Sequence, residues 1–74
     1  MQMNNLNVAK IQLNGKQFQI NAGINLNELL NSLKIKINKV AIEVNGAIIE
    51  KGKYQKLQLN ENDKVEIVHF IGGG

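Results

Sequence analysis

The dipeptide Asn14-Gly15, set between two short runs of alternating apolar and polar residues, constrains the fold of this chain more than any other feature. Asn-Gly favours a two-residue type I′ turn, because both central residues of that turn have positive φ. Such a turn pairs Ile11 with Phe18 and places the apolar side chains of both runs on one face. We therefore predict a β-hairpin with one apolar face.

A single amphipathic helix is predicted after this hairpin. Asn25 and Glu28 occupy the N-cap and N3 positions of a capping box. Four leucines then recur at the spacing of one helical stripe: Leu26, Leu29, Leu30 and Leu33. We expect this stripe to pack on the apolar face of the hairpin.

Four further strands are predicted: two over residues 40–50 as a second hairpin, one at 57–59 as a brief edge strand and one at 64–71 as the last strand. A two-residue turn at Asn45-Gly46 would oppose Glu43 and Ile48. Residues 51–55 are predicted to form a polar connection, with a short turn of helix as the alternative. The last strand has apolar residues on both faces, which is typical of a central strand or of one whose second face meets a partner.

This order of elements predicts an α+β fold of the β-grasp, or ubiquitin-like, type. It is a mixed sheet with one main helix packed across one face, and its first and last strands lie parallel at the centre. We divide the chain into a short flexible N-terminal extension at 1–9, the β-grasp domain at 10–71 and a flexible Gly-Gly-Gly tail at 72–74.

The composition argues against several classes of function. The chain has no cysteine, so it has no disulfide and no thiolate nucleophile. Its net charge of +3 comes from nine scattered lysines and no arginine, so we expect no nucleic-acid partner. No apolar run approaches the roughly 18 residues of a membrane span. We expect a cytoplasmic protein that binds no membrane.

The groups that enzymes use for catalysis are scarce. His69 is the one histidine and Ser32 the one serine, and Ser32 falls within the predicted helix. The six carboxylates show no metal-ligand spacing. We therefore expect no enzyme, no bound cofactor and no metal site.

The last strand runs into Gly72, Gly73 and Gly74. A glycine tail is slim and flexible, so it can thread a narrow channel and present the terminal carboxylate to another protein. Attack by that carboxylate on ATP would give an acyl-adenylate, from which sulfide or a persulfide would displace AMP and leave a thiocarboxylate at Gly74. The chain has no phosphate- or magnesium-binding groups, so an adenylating partner must use the ATP. Phe70 and Ile71 are candidate docking residues for partners.

Over about residues 10–74 the chain resembles the ThiS family, the sulfur carriers of bacterial thiamine (thiazole) biosynthesis. The resemblance is carried by residues 11–16, 29–30, 44–46, 49 and 54, and most specifically by 63–74. It implies adenylation of Gly74 by a ThiF-type adenylyltransferase and sulfur transfer from a cysteine desulfurase or another sulfur donor. It also implies that the thiocarboxylate donates its sulfur to the thiazole synthase ThiG.

Two other interpretations of the function stay open. A sulfur carrier of another pathway, such as molybdopterin synthesis or tRNA thiolation, shares the fold and the tail. Alternatively, the chain is a non-catalytic β-grasp interaction module whose glycines form a loose end. Strongly salt-dependent RNA binding would favour this last reading.

Overall fold

The computed structural model describes residues 7–70, and within them five strands form one sheet beside one α-helix. The elements are β1 Val8–Leu13, β2 Lys16–Asn21, α1 Leu26–Leu33, β3 Val40–Val44, β4 Ala47–Ile49 and β5 Lys64–His69. Short 3₁₀ segments occupy Ile37–Lys39 and Lys51–Lys53. The strand order is β2-β1-β5-β3-β4. β1 and β5 run parallel at the centre and the other neighbours are antiparallel, so the predicted α+β β-grasp fold is confirmed.

Both Asn-Gly turns set the registers predicted for their hairpins. Ile11 lies opposite Phe18 across the first turn, and Glu43 lies opposite Ile48 across the second. Asn14 and Asn45 have φ of 49° and 52°, and the glycines that follow them have φ of 83° and 88°. These positive values are the reason that Asn-Gly is favoured at such turns.

The helix starts with the predicted capping box. The backbone N–H of Glu28 donates to Asn25 Oδ1 at 2.8 Å, and the backbone N–H of Asn25 donates to Glu28 Oε1 at 2.9 Å. The first three leucines of the stripe are buried, and Leu33 is half-buried against the same core. This core fills the space between the helix and the sheet, and its fully buried members from the sheet include Ile11, Ile42 and Val65.

The predicted edge strand at 57–59 is wrong. Its one sheet-like contact is an isolated bridge between Gln58 and Asn25. The backbone N–H of Leu59 donates to the carbonyl of Ile24 at 2.8 Å, and the Leu59 side chain is fully buried. The segment therefore pairs with the residues that precede the helix and not with a strand. Burial of the Leu59 side chain in the core holds the segment in this position.

Element ends differ from the predictions by one or two residues. β1 begins at Val8, so Val8 and Ala9 belong to the sheet although the sequence placed them in the extension; Ala9 is buried in the core, which gives the strand a reason to start there. β4 ends at Ile49 and β5 at His69, where the predictions reached 50 and 71. Residues 1–6 of the predicted extension, Ile71 and the glycine tail at 72–74 lie outside the described residues.

Candidate functional site

Phe70 is the last described residue of the chain, two positions before the first glycine of the tail. Its backbone N–H donates to the carbonyl of Lys39 at 2.9 Å, which continues the pairing between β5 and β3 by one residue. Its side chain is 55% exposed. Of the predicted site residues, Phe70 can thus be placed at the carboxyl end of the central strand. Ile71, Gly72, Gly73 and Gly74 lie beyond the described residues, so their roles stay predictions.

The outer face of the sheet, turned away from the helix, carries two exposed apolar side chains. Val68 in β5 is 54% exposed and Ile48 in β4 is 73% exposed. Glu43 lies directly opposite Glu66 of β5 on one side and Ile48 of β4 on the other. Like charges in directly opposed positions destabilise a sheet, and exposed apolar side chains add nothing to the core. The opposed carboxylates are therefore the unusual feature of this face, because single exposed apolar side chains are common on protein surfaces.

The central strand is fixed by two asparagine side chains as well as by its neighbouring strands. Asn14 acts as a mimic of a strand residue: its Oδ1 accepts from the N–H of Ile67 at 2.7 Å, and its Nδ2 donates to the carbonyl of Ile67 at 3.0 Å. Asn45 Oδ1 accepts from the N–H of Lys64 at 2.9 Å. Each Asn-Gly turn therefore also holds β5. Asn45 bonds to its first residue, and Asn14 bonds to Ile67, near the end that leads to Phe70.

Lys51 contacts this end of the sheet from the segment after β4. Its Nζ donates to the carbonyl of Val40 at 2.9 Å and lies 5.5 Å from the centre of the Phe70 ring. The sequence alone does not single out Lys51, because residues 51–55 have the composition of a polar connection. One signal was present: extending the second hairpin by two residues beyond the Ile42–Ile49 pair places Lys51 opposite Val40.

Tyr54 lies on the core side of Lys51, with its ring centre 5.9 Å from Nζ. Its side chain is fully buried, and its hydroxyl has no hydrogen-bond partner within the described part of the chain. Burial raises the pKa of Tyr54, and the nearby backbone of Ile42 offsets this only in part. Its carbonyl accepts from the N–H of Leu26 at 3.0 Å, so Tyr54 also joins the segment after β4 to the helix start.

The described residues offer little catalytic chemistry. Ser32 donates its hydroxyl to the carbonyl of Leu29 at 2.8 Å inside the helix, and His69 is an exposed residue at the end of β5. Residues 7–70 hold no group of three His, Cys, Asp or Glu side chains that could bind a metal ion. None of the helices in this range is long and apolar enough to cross a membrane.

The family model for ThiS matches residues 11–74, which includes the whole of β5 and the glycines. The chain belongs to the ThiS family. It is 39% identical over 66 residues to the sulfur carrier protein ThiS of Bacillus subtilis, a match that covers 86% of this chain and 98% of that protein. The crystal structure of the thiamine biosynthesis protein ThiS from Geobacter metallireducens superimposes with a TM-score of 0.77 at 31% identity, covering 88% of this chain and 99% of that one.

A second kind of relative is longer. The chain is 46% identical over 65 residues to a thiazole synthase of Magnetococcus marinus, a match that covers 88% of this chain. The chain spans only 20% of the length of that protein, so the rest of that thiazole synthase has no counterpart here. A ThiS-like segment therefore forms part of at least one longer protein that is called a thiazole synthase.

Proposed function

We propose that this ThiS family member is a sulfur carrier for thiazole formation in thiamine biosynthesis, with the carboxylate of Gly74 as its working group. The observation that carries the proposal is the ThiS family match, which continues through residue 74. The exposed Phe70 at the end of a firmly held central strand supports it, because its ring is available for docking by a partner that acts on the residues after it.

The proposed chemistry has two stages. The Gly74 carboxylate attacks the α-phosphorus of ATP, pyrophosphate leaves, and an acyl-adenylate forms. The terminal sulfur of a persulfide then attacks the acyl carbon and displaces AMP, and a thiol reduces the resulting acyl disulfide to the thiocarboxylate. Phosphate and magnesium handling must come from the adenylating partner, which we propose is of the ThiF type.

The carrier in this proposal is a co-substrate and no enzyme. A cysteine desulfurase or another donor supplies the sulfur, and the thiazole synthase ThiG receives it. The likeness to one segment of a Magnetococcus thiazole synthase supports ThiG as the acceptor. We propose a cytoplasmic location, because ATP is available there and thiols are kept reduced.

Intact mass spectrometry tests the carrier function directly. The full chain is incubated with a ThiF-type adenylyltransferase, magnesium ATP, a cysteine desulfurase, cysteine and a reducing thiol. The mass should rise by the difference between the atomic weights of sulfur and oxygen, and it should stay unchanged when ATP is omitted. An unchanged mass in the complete mixture, with an enzyme that is active on its own carrier, would show that this chain is no sulfur carrier.

A further inference from the structure

Lys51 joins three separate parts of the fold through one atom. Its Nζ donates to the Val40 carbonyl at the start of β3, and it lies over the rings of Phe70 and Tyr54 at 5.5 Å and 5.9 Å from their centres. An ammonium group within about 6 Å of an aromatic centroid is attracted by the negative face of the ring. The hydrogen bond to Val40 holds the ammonium in place, so its position does not depend on the rings alone.

The contact with Lys51 involves the side chain of Phe70, which is not packed into the core. The backbone of Phe70 is held by its hydrogen bond to Lys39, but its side chain is more than half exposed. An exposed aromatic side chain on a fixed backbone has several staggered rotamers available. The attraction to Lys51 favours the rotamer in which the ring contacts the ammonium.

We propose that Lys51 is a positioning residue, which orients the Phe70 ring for docking on the adenylating enzyme. The proposal rests on the carrier function proposed above and assigns Lys51 no part in the chemistry. Immobilising an exposed side chain at an interface weakens binding, and ordering it beforehand removes that penalty. Lys51 should therefore affect how well the carrier binds and leave the rate of the bound complex alone.

Steady-state adenylation kinetics with a ThiF-type enzyme measure this effect. Lys51→Met keeps the apolar stem and removes the ammonium, so KM for the carrier should rise roughly threefold to tenfold while kcat is unchanged. Lys51→Arg should bring KM back to within about twofold of the wild type, because a guanidinium also stacks on aromatic rings. Urea unfolding of each variant shows that it is folded under the assay conditions.

Lys53→Met is the matched control. It removes the same charge from the same 3₁₀ segment, and the Lys53 side chain makes no hydrogen bond or aromatic contact among residues 7–70. Its KM should equal that of the wild type. An equal rise in KM for Lys53→Met and Lys51→Met would assign the effect to overall charge and overturn the positioning role.

Nuclear magnetic resonance of the free protein tests the contact without any partner. The ring current of Phe70 should move the ε-methylene protons of Lys51 upfield, and Phe70→Leu should reduce that shift. Lys51→Met should also have no further effect on KM in the Phe70→Leu background, since Lys51 acts through that ring.

The outcomes separate the two proposals. If the wild type is adenylated normally but Lys51→Met leaves KM unchanged, or if Phe70→Leu leaves the Lys51 resonances unmoved, the positioning role is wrong and the carrier function stands. If the wild type is not adenylated at all, the carrier function is overturned and the role of Lys51 falls with it. In that case the magnetic resonance data still show whether Lys51 and Phe70 are in contact.

Discussion

At the scale of single residues, Tyr54 is fully buried, and its hydroxyl has no hydrogen-bond partner among residues 7–70. Leaving a buried polar group unpaired costs about 1–3 kcal/mol, whereas the ring itself fills the core. Tyr54→Phe should therefore keep the packing and raise the free energy of unfolding by about 1 kcal/mol. Urea denaturation measures the free energy of unfolding of both proteins. A clear loss of stability would show that the hydroxyl has a partner in solution, and the backbone of Ile42 is the candidate.

The same hydroxyl should make the protein sensitive to alkali. Burial raises the pKa of Tyr54 above its ordinary value of 10.0, so the unfolded chain loses this proton at a lower pH than the folded chain does. The unfolded state then binds fewer protons, and stability falls as pH rises through this window. The stability advantage of Tyr54→Phe should thus grow above pH 10.0 and stay constant below it. A constant difference across the whole pH range would contradict this linkage.

At the scale of secondary-structure elements, the join between the first turn and β5 depends on the Asn14 side chain. Aspartate also tolerates positive φ, but it cannot donate to the Ile67 carbonyl and would set two oxygens against each other. Asn14→Asp should therefore cost about 1–3 kcal/mol of unfolding free energy. Asn62→Asp is the control: Asn62 has φ of 72°, and its side chain makes no hydrogen bond among residues 7–70. It should change stability by no more than about 0.5 kcal/mol. Equal losses at both sites would refute the idea that the Asn14 side chain joins the first turn to β5.

The helix offers a second test at this scale. Leu29 is fully buried between α1 and the sheet, so Leu29→Ala should cost about 2–5 kcal/mol in chemical denaturation. Leu33→Ala on the same stripe should cost less, because Leu33 is only half-buried. A denaturation midpoint unchanged by Leu29→Ala would mean that the helix does not cover the sheet.

These elements also show which parts of the fold and of the candidate site can be predicted from the sequence alone. Both hairpins and the helix could be predicted, because their registers and caps depend on neighbouring residues such as Asn14 and Gly15. The segment at 57–59 could not, because its backbone bonds to Ile24 are fixed only when distant parts of the chain pack together. Phe70 could be named as a site residue because it precedes the glycines. Lys51 could not, because its contact depends on the register beyond β4 and on where β5 ends.

At the scale of the whole molecule, stability and proposed chemistry occupy different parts of the chain. Every buried core residue of the described range lies between Ala9 and Ile67. β5 leaves this core at His69 and Phe70, and the outer face beside it combines exposed apolar groups with the opposed Glu43 and Glu66. Among residues 7–70 the chain toward the proposed tail is held by the contacts of His69 and Phe70, and changes after residue 70 should leave those contacts intact.

The length of the tail should consequently decide activity without affecting the fold. Deleting Gly74, or adding one residue after it, moves the terminal carboxylate by about 3.5 Å, and a misplacement of about 1 Å already costs on the order of a hundredfold in rate. Both variants should unfold at the wild-type urea concentration and yield almost no thiocarboxylate by intact mass. Gly73→Val should act in the same direction, because it widens the tail and restricts its backbone. Wild-type rates of adenylation and sulfuration in all three variants would show that Gly74 is not the working end, whereas lost stability would show that the tail belongs to the fold.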